Sequence, residues 1–327
     1  MRVRRRTSRS FDLSEGMMKL LSRFAACWSI AIVLSVSAAS MRGDEAIDAA
    51  LAQARASGRP VLAVAGRQAC VLCQALKERL TTDRELQPLL ANFVPLALDV
   101  DAPAWQEWAR TYPVDGNGLP FVYVVRADGE KLHGSSGPLQ GNALPLALGN
   151  ALQQSGVPLD PRQSERLAKS LAEAEAALAQ DDLSKAIAAL AATPPPASYA
   201  EVAVRSRTLI EELTERGTTA LAEAAEQLAN PETRLAGALA LVETQRHFRR
   251  LPEIAKEANE LKRRQRDAEI KTALAQATLI DKGRAFEEDG AIDKALDAYR
   301  AVADKYPNSA AADDVATRIA ALEGGRR

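Results

Sequence analysis

Two cysteines three residues apart, Cys70-Val71-Leu72-Cys73, follow directly on the apolar run Pro60-Val61-Leu62-Ala63-Val64-Ala65 and Gly66. A strand, a turn and then two thiols at the start of a helix suit reversible dithiol chemistry. The first thiol meets the unpaired N–H groups of the helix start, and their positive potential stabilises the thiolate, the form that attacks disulfides. Cys73 lies on the same side of the first turn and can close the ring.

The other uses of such a pair are weaker. The chain has three cysteines, and Cys27 falls in a segment read below as removed, so a four-cysteine zinc site is not available within one chain. The two histidines, His133 and His247, have no ligand spacing relative to the pair. No metal or other cofactor is expected, with a two-thiolate site for a soft ion such as Cu(I) as a minor option. As a staple, so short a loop yields only roughly 2 kcal/mol in the chain-entropy model. A chain of 327 residues does not depend on that.

The elements that must position the pair are legible around it. Ala46 to Ala56 reads as a short amphipathic helix, Val61 to Ala65 as a buried strand, and Cys70 to Leu80 as a helix with Leu72, Ala75, Leu76 and Leu80 at its apolar positions. Phe93 to Asp99 predicts a second strand, Ala104 to Tyr112 a helix, and Phe121 to Arg126 a third strand. The Ala127-Asp128-Gly129-Glu130 turn leads into Lys131 to Gly134. A helix separates the first two strands, so they should run parallel; the last two should be antiparallel. Ala143 to Gln153 closes this unit with a helix.

These residues resemble the thioredoxin-like family, in particular exported members with a helix before the first strand. The resemblance covers roughly residues 44–156. It rests on Cys70-x-x-Cys73 at a helix start, on Phe93 to Asp101 as the following strand, and on Gly118-Leu119-Pro120 before the Phe121 strand. It implies an α/β fold with a central mixed sheet flanked by helices. It also implies a cis Leu119-Pro120 bond, with Leu119 and Pro120 beside the dithiol as the substrate groove. The chain departs from the family's reductases at three points: Ala69 replaces a tryptophan, Val71-Leu72 replaces Gly-Pro, and no acid lies between Val61 and Ala65. In the family that acid helps deprotonate the second thiol, so Cys73 is expected to release a mixed disulfide slowly. Arg67 and Lys77 are near in sequence and favour a thiolate, although such charges are commonly just solvated.

Phe24 to Val36 is apolar, preceded by Lys19 and Arg23 and followed by Ser37-Ala38-Ala39-Ser40. This pattern reads as an export signal over residues 1–40, cleaved after Ala38 or Ser40, with translation starting at Met1 or at Met17 or Met18. A core of about 13 residues is short for a bilayer span, which needs about 20, so no stable membrane span is expected. A retained anchor, or a twin-arginine signal built on the pair near Arg4, leaves the compartment unchanged: exported, periplasmic or otherwise extracytoplasmic, and permissive of disulfides.

Past Gly156 the composition shifts to alanine-rich helices. Residues 160–327 read as an all-α domain that starts at Asp160-Pro161, broken at Pro194-Pro195-Pro196, Gly217, Pro231 and Pro252. The clearest unit spans residues 276–323, where Gly283, Phe286, Gly290, Ala295, Tyr299, Val302 and Pro307 fall at the spacing of a tetratricopeptide repeat. Asp181 to Leu190 has the pattern of a degenerate earlier unit, and Thr218 to Ala277 reads only as helical.

Acidic and basic residues nearly cancel, 43 against 42, so overall charge gives no reason to expect nucleic acid. Glutamates interleave the basic cluster Arg246 to Arg250 with Lys262 to Arg264, which reads as a solvated helix face. The expected function is thiol-disulfide exchange with thiols and disulfides of other exported proteins. Cys70 would attack, Cys73 would resolve, and the helical domain would hold a protein partner. The alternative is a binding scaffold that keeps the fold with an inert disulfide.

Overall fold

Alternate residues of the Val61 strand face opposite layers, and both layers are apolar, which is why its sequence is a continuous hydrophobic run. The computed structural model describes residues 43–324; the export reading of residues 1–40, and Cys27, lie outside them. Helix α1 (Gly43–Ser57) buries Ala50 and Ala54 and ends at Gly58, whose φ of +75° turns the chain into β1 (Val61–Gly66).

With β2 (Val94–Asp99), β3 (Phe121–Val125) and β4 (Lys131–Ser136), β1 forms a four-stranded mixed sheet in the order β2-β1-β3-β4. β1 and β2 are parallel, while β1 with β3 and β3 with β4 are antiparallel, as the connections predicted. Gly129 (φ +93°) and the bond from Arg126 N–H to Glu130 O close the β3–β4 turn.

Helices α2 (Val71–Thr82), α3 (Gln87–Leu90), α4 (Pro103–Thr111) and α5 (Ala143–Gln154) complete the unit. Val61, Ala63 and Ala65 pack with Ala54, Trp108 and Tyr123 on the α1/α4 side. Leu62 and Val64 pack with Leu76, Leu144 and Leu148 on the α2/α5 side. The four-residue α3 was not foreseen, because a single turn is too short to show a helical period.

Eight helices follow among the described residues: α6 (Pro161–Leu178), α7 (Leu183–Ala192), α8 (Glu201–Ala229), α9 (Arg234–His247), α10 (Pro252–Arg264), α11 (Ala268–Glu288), α12 (Ile292–Lys305) and α13 (Ala310–Gly324). α6 begins with a capping box between Asp160 and Gln163, with Pro161 in the first turn. The break expected at Gly217 does not occur. Gly217 lies inside the 29-residue α8, where a Cβ would fall 2.9 Å from the Phe248 ring and 3.0 Å from Ile254. Glycine costs a helix about 1 kcal/mol relative to alanine, and here it admits two core side chains from the next layer. The residues singled out at the C-terminal end form the α11/α12 hairpin. Gly283 faces the Tyr299 ring, Ala295, Tyr299 and Val302 are buried, and Gly290 (φ +70°) makes the turn.

The two parts meet at the Val61 end of β1. Leu159 N–H donates to Ser57 O (2.8 Å) and Val157 N–H to Ala197 O (2.9 Å). The Arg126 guanidinium stacks 3.7 Å above the Tyr199 ring. Arg126 follows Val125, the β3 partner of Val61, so this joint and Gly66 are at opposite ends of β1, about 17 Å apart at a strand's rise per residue.

Candidate functional site

Gly66 ends β1, and the turn Arg67-Gln68-Ala69 is held by the bond from Cys70 N–H to Arg67 O (3.2 Å). Cys70 then caps α2 with its own sulfur: its backbone is extended (φ −86°, ψ 111°), and Sγ accepts the Cys73 N–H at 3.1 Å. The first turn of α2 carries no acid. A thiolate on Cys70 would therefore meet a backbone donor and the positive end of the helix with no like charge in that turn.

Cys70 and Cys73 are disulfide-bonded, with Cα atoms 5.2 Å apart, inside the normal range for a bridge. Their exposures differ. Cys73 is buried beneath the turn, Cys70 is partly open, and Val71 and Leu72 between them are 79% and 50% exposed.

The floor under the pair is Gly66. A Cβ there would lie 2.7 Å from Cys73 Sγ and 3.0 Å from Cys73 Cβ, so only glycine lets the helix start settle onto the strand. The sequence reading took Gly66 as a turn residue and missed this contact. A glycine closing an apolar strand is the signal that marks such close approach. Val64, two residues earlier on the same side of β1, is packed in the apolar α2/α5 layer.

Of the two cations named from the sequence, Arg67 is engaged elsewhere. Its Nε donates to both carboxylate oxygens of Asp101 at 2.9 and 3.0 Å, with both side chains more than half exposed. Lys77 is exposed, one turn beyond Cys73.

The Leu119-Pro120 bond is cis, as the resemblance implied. Ala65 pairs with Phe121, so Gly66 and Pro120 are the next residues outward on adjacent strands. This puts Pro120 on the sheet row of the glycine beneath Cys73. Pro120 is buried and Leu119 half-buried. Gly137 N–H donates to Gly118 O (2.9 Å) and Pro120 O (3.0 Å), and Gly118 N–H donates to Ser136 Oγ (2.9 Å), tying this loop to the end of β4.

The histidines are apart from the dithiol. His133 on β4 has a buried Nε2 with no hydrogen-bond partner, and burial holds its pKa below the ordinary value. His247 Nδ1 lies 2.8 Å from Ser184 Oγ. Among the described residues no group of three or more His, Cys, Asp and Glu is placed to hold a metal ion. In the basic cluster Arg246 pairs with Asp281 (3.0 Å) and Glu288 (2.6 Å), Arg264 with Glu260 (3.2 Å), and Lys262 Nζ donates to Gln245. No helix among the described residues is long and apolar enough to cross a membrane.

A family model described as thioredoxin-like matches residues 43–127. No curated protein matches the chain. The match spans α1 through β3 and contains both cysteines, the cis proline and the sheet row that joins them. The chain thus carries a thioredoxin-like region with a four-stranded mixed sheet and a Cys70-x-x-Cys73 disulfide, followed by a C-terminal region of helices.

Proposed function

We propose that this protein is exported and exchanges thiols and disulfides with other exported proteins. The observation that carries this reading is the asymmetry of the pair: Cys70 caps α2 and is partly open, whereas Cys73 is buried against Gly66. An attacking thiol needs access and a stabilised anion; a resolving thiol needs only to reach the first sulfur.

In the reducing direction, the Cys70 thiolate attacks one sulfur of a substrate disulfide. The substrate S–S bond breaks, an S–S bond to Cys70 forms, and the other substrate sulfur leaves as thiolate and takes up a proton. The Cys73 thiol loses its proton and attacks the Cys70 sulfur, which closes the internal bridge and releases the second substrate thiol. Two electrons pass to the substrate and two protons balance them; the reverse sequence oxidises a substrate dithiol. Leu119 and Pro120 form one wall of the groove, and the exposed Val71 and Leu72 offer the substrate an apolar contact.

Export rests on the apolar segment Phe24 to Val36 and the small residues after it. Division into a thioredoxin-like domain (44–156) and a helical domain with tetratricopeptide-like hairpins (160–327) belongs to the same proposal. The helical domain is attached at the far end of the sheet, so it leaves the dithiol open and would hold a partner rather than cover the cysteines.

The test is trapping. Cys73→Ser should accumulate mixed disulfides through Cys70, and Cys70→Ser should accumulate few. If both variants trap nothing from an extract of exported proteins, and both thiols of the reduced protein alkylate at equal, slow rates, the disulfide is inert and the scaffold reading replaces this one.

A further inference from the structure

The long helix α8 and the short helix α10 do not pack along their full lengths. Phe248 and Ile254 lie against Gly217 within their contact, and an open depression flanks it at each end. One end is lined by Ile210, Thr214, Thr218 and Leu251. The other is lined by Leu221, Ala222, Ala225 and Leu261. The two depressions adjoin at Glu253, which lines both, and together make up an open trough. From Ile210 to Ala225 the α8 wall is about 22 Å long at a helix's rise per residue. Its lining residues recur every three or four positions.

The rim is strongly one-signed. Glu211, Glu215, Glu253, Glu257 and Glu260 edge the trough against two cations, Lys256 and Arg264. Arg264 is already paired with Glu260. Among the described residues the other four glutamates make no ion pair. In a chain whose total charge is −1, four unpaired carboxylates along an apolar trough form a local field.

We propose that this trough docks an amphipathic, Lys/Arg-flanked helix of about 15 residues from a partner protein. Its apolar stripe would lie on Ile210, Ala222 and Leu261, and its cations would meet the glutamate rim. Length, apolar floor and acidic edges all match such a segment, while an acidic or purely polar one would meet repulsion or leave the floor wet. The site is separate from the dithiol, and its test reads binding rather than exchange.

The probe is a fluorescein-labelled 18-residue peptide with leucines at i, i+3, i+4 and i+7 and lysines elsewhere, paired with a scrambled isomer of identical composition. By anisotropy, the full chain should bind the amphipathic peptide at least tenfold more tightly than the isomer. Ala222→Trp, which fills the trough from an exposed position, should abolish that preference. The triple variant Glu211→Gln, Glu215→Gln, Glu257→Gln should weaken binding by about tenfold at low salt. Circular dichroism and a thiol titration of the Cys70-Cys73 pair check that the variants fold. Equal binding of both peptides, wild-type affinity in Ala222→Trp, or no binding by the wild type at 100-micromolar peptide would each overturn the proposal.

Discussion

Adding one methyl group at Gly66 should report directly on the seat of the dithiol. The new Cβ would sit 2.7 Å from Cys73 Sγ, about 1 Å inside a normal non-bonded contact, and Cys73 is itself held in the first turn of α2. Overpacking of this kind costs about 1–3 kcal/mol. Gly→Ala returns about 0.4–1 kcal/mol by restricting the unfolded chain, which leaves a net loss of about 1–2 kcal/mol. In a Cys73→Ala background the sulfur is gone and the nearest remaining atom is the residue-73 Cβ at 3.0 Å. There Gly66→Ala should be near neutral, giving a coupling of at least about 1 kcal/mol. The assay is urea unfolding of the four proteins in the cycle, begun at Gly43 and kept in reductant so that no bridge contributes. Trp105 and Trp108, then the only tryptophans, report on the thioredoxin-like region. An equal cost in both backgrounds would refute the claim that Gly66 exists to seat Cys73.

His133 is held below its ordinary pKa of 6.5 by burial. Its neutral form is favoured in the folded state, so stability is full above that value and falls as pH drops through it. His133→Leu should flatten the change in urea midpoint between pH 7.5 and 5.5, and an unchanged slope would contradict this. The carboxylates of Asp128, Glu243 and Glu287, lowered chiefly by hydrogen bonds to Arg126, His247 and Arg318 respectively, lose their contribution only below their ordinary range, in a separate, more acidic window. Arg126→Ala removes the stack on Tyr199 and the ion pairs with Asp128 and Glu130. It should cost about 1–2 kcal/mol and speed chymotrypsin cleavage at Tyr199, whereas unchanged cleavage would mean that Arg126 does not hold the joint.

What could be read in the sequence was local. An apolar run buried on both faces identified β1, the intervening helix fixed β2 as its parallel neighbour, and Gly129 placed the β3–β4 turn. The Cys70-Cys73 pair was legible from thiol spacing at a helix start, whereas the cis Leu119-Pro120 bond was legible only through the family resemblance. Contacts between distant segments left no local trace of the partner. Gly66 at the end of an apolar strand marks a close approach without naming Cys73 as the residue that rests on it, nothing near Arg67 points to Asp101, and Tyr199 gives no sign of its partner 73 positions earlier, Arg126. Gly217 misled for the same reason: a helix breaker by propensity, it is a packing site once Phe248 and Ile254 are folded against it.

The most direct test of the account is the reduction potential of the Cys70-Cys73 couple, measured by equilibrating the full-length protein against glutathione buffers and counting free thiols. If a partly open, helix-capping Cys70 over a buried Cys73 exchanges as proposed, the couple should titrate reversibly at a potential above about −300 mV. A bridge that stays oxidised at still lower potentials, or that never equilibrates with the buffer, would mark a structural disulfide and contradict the account.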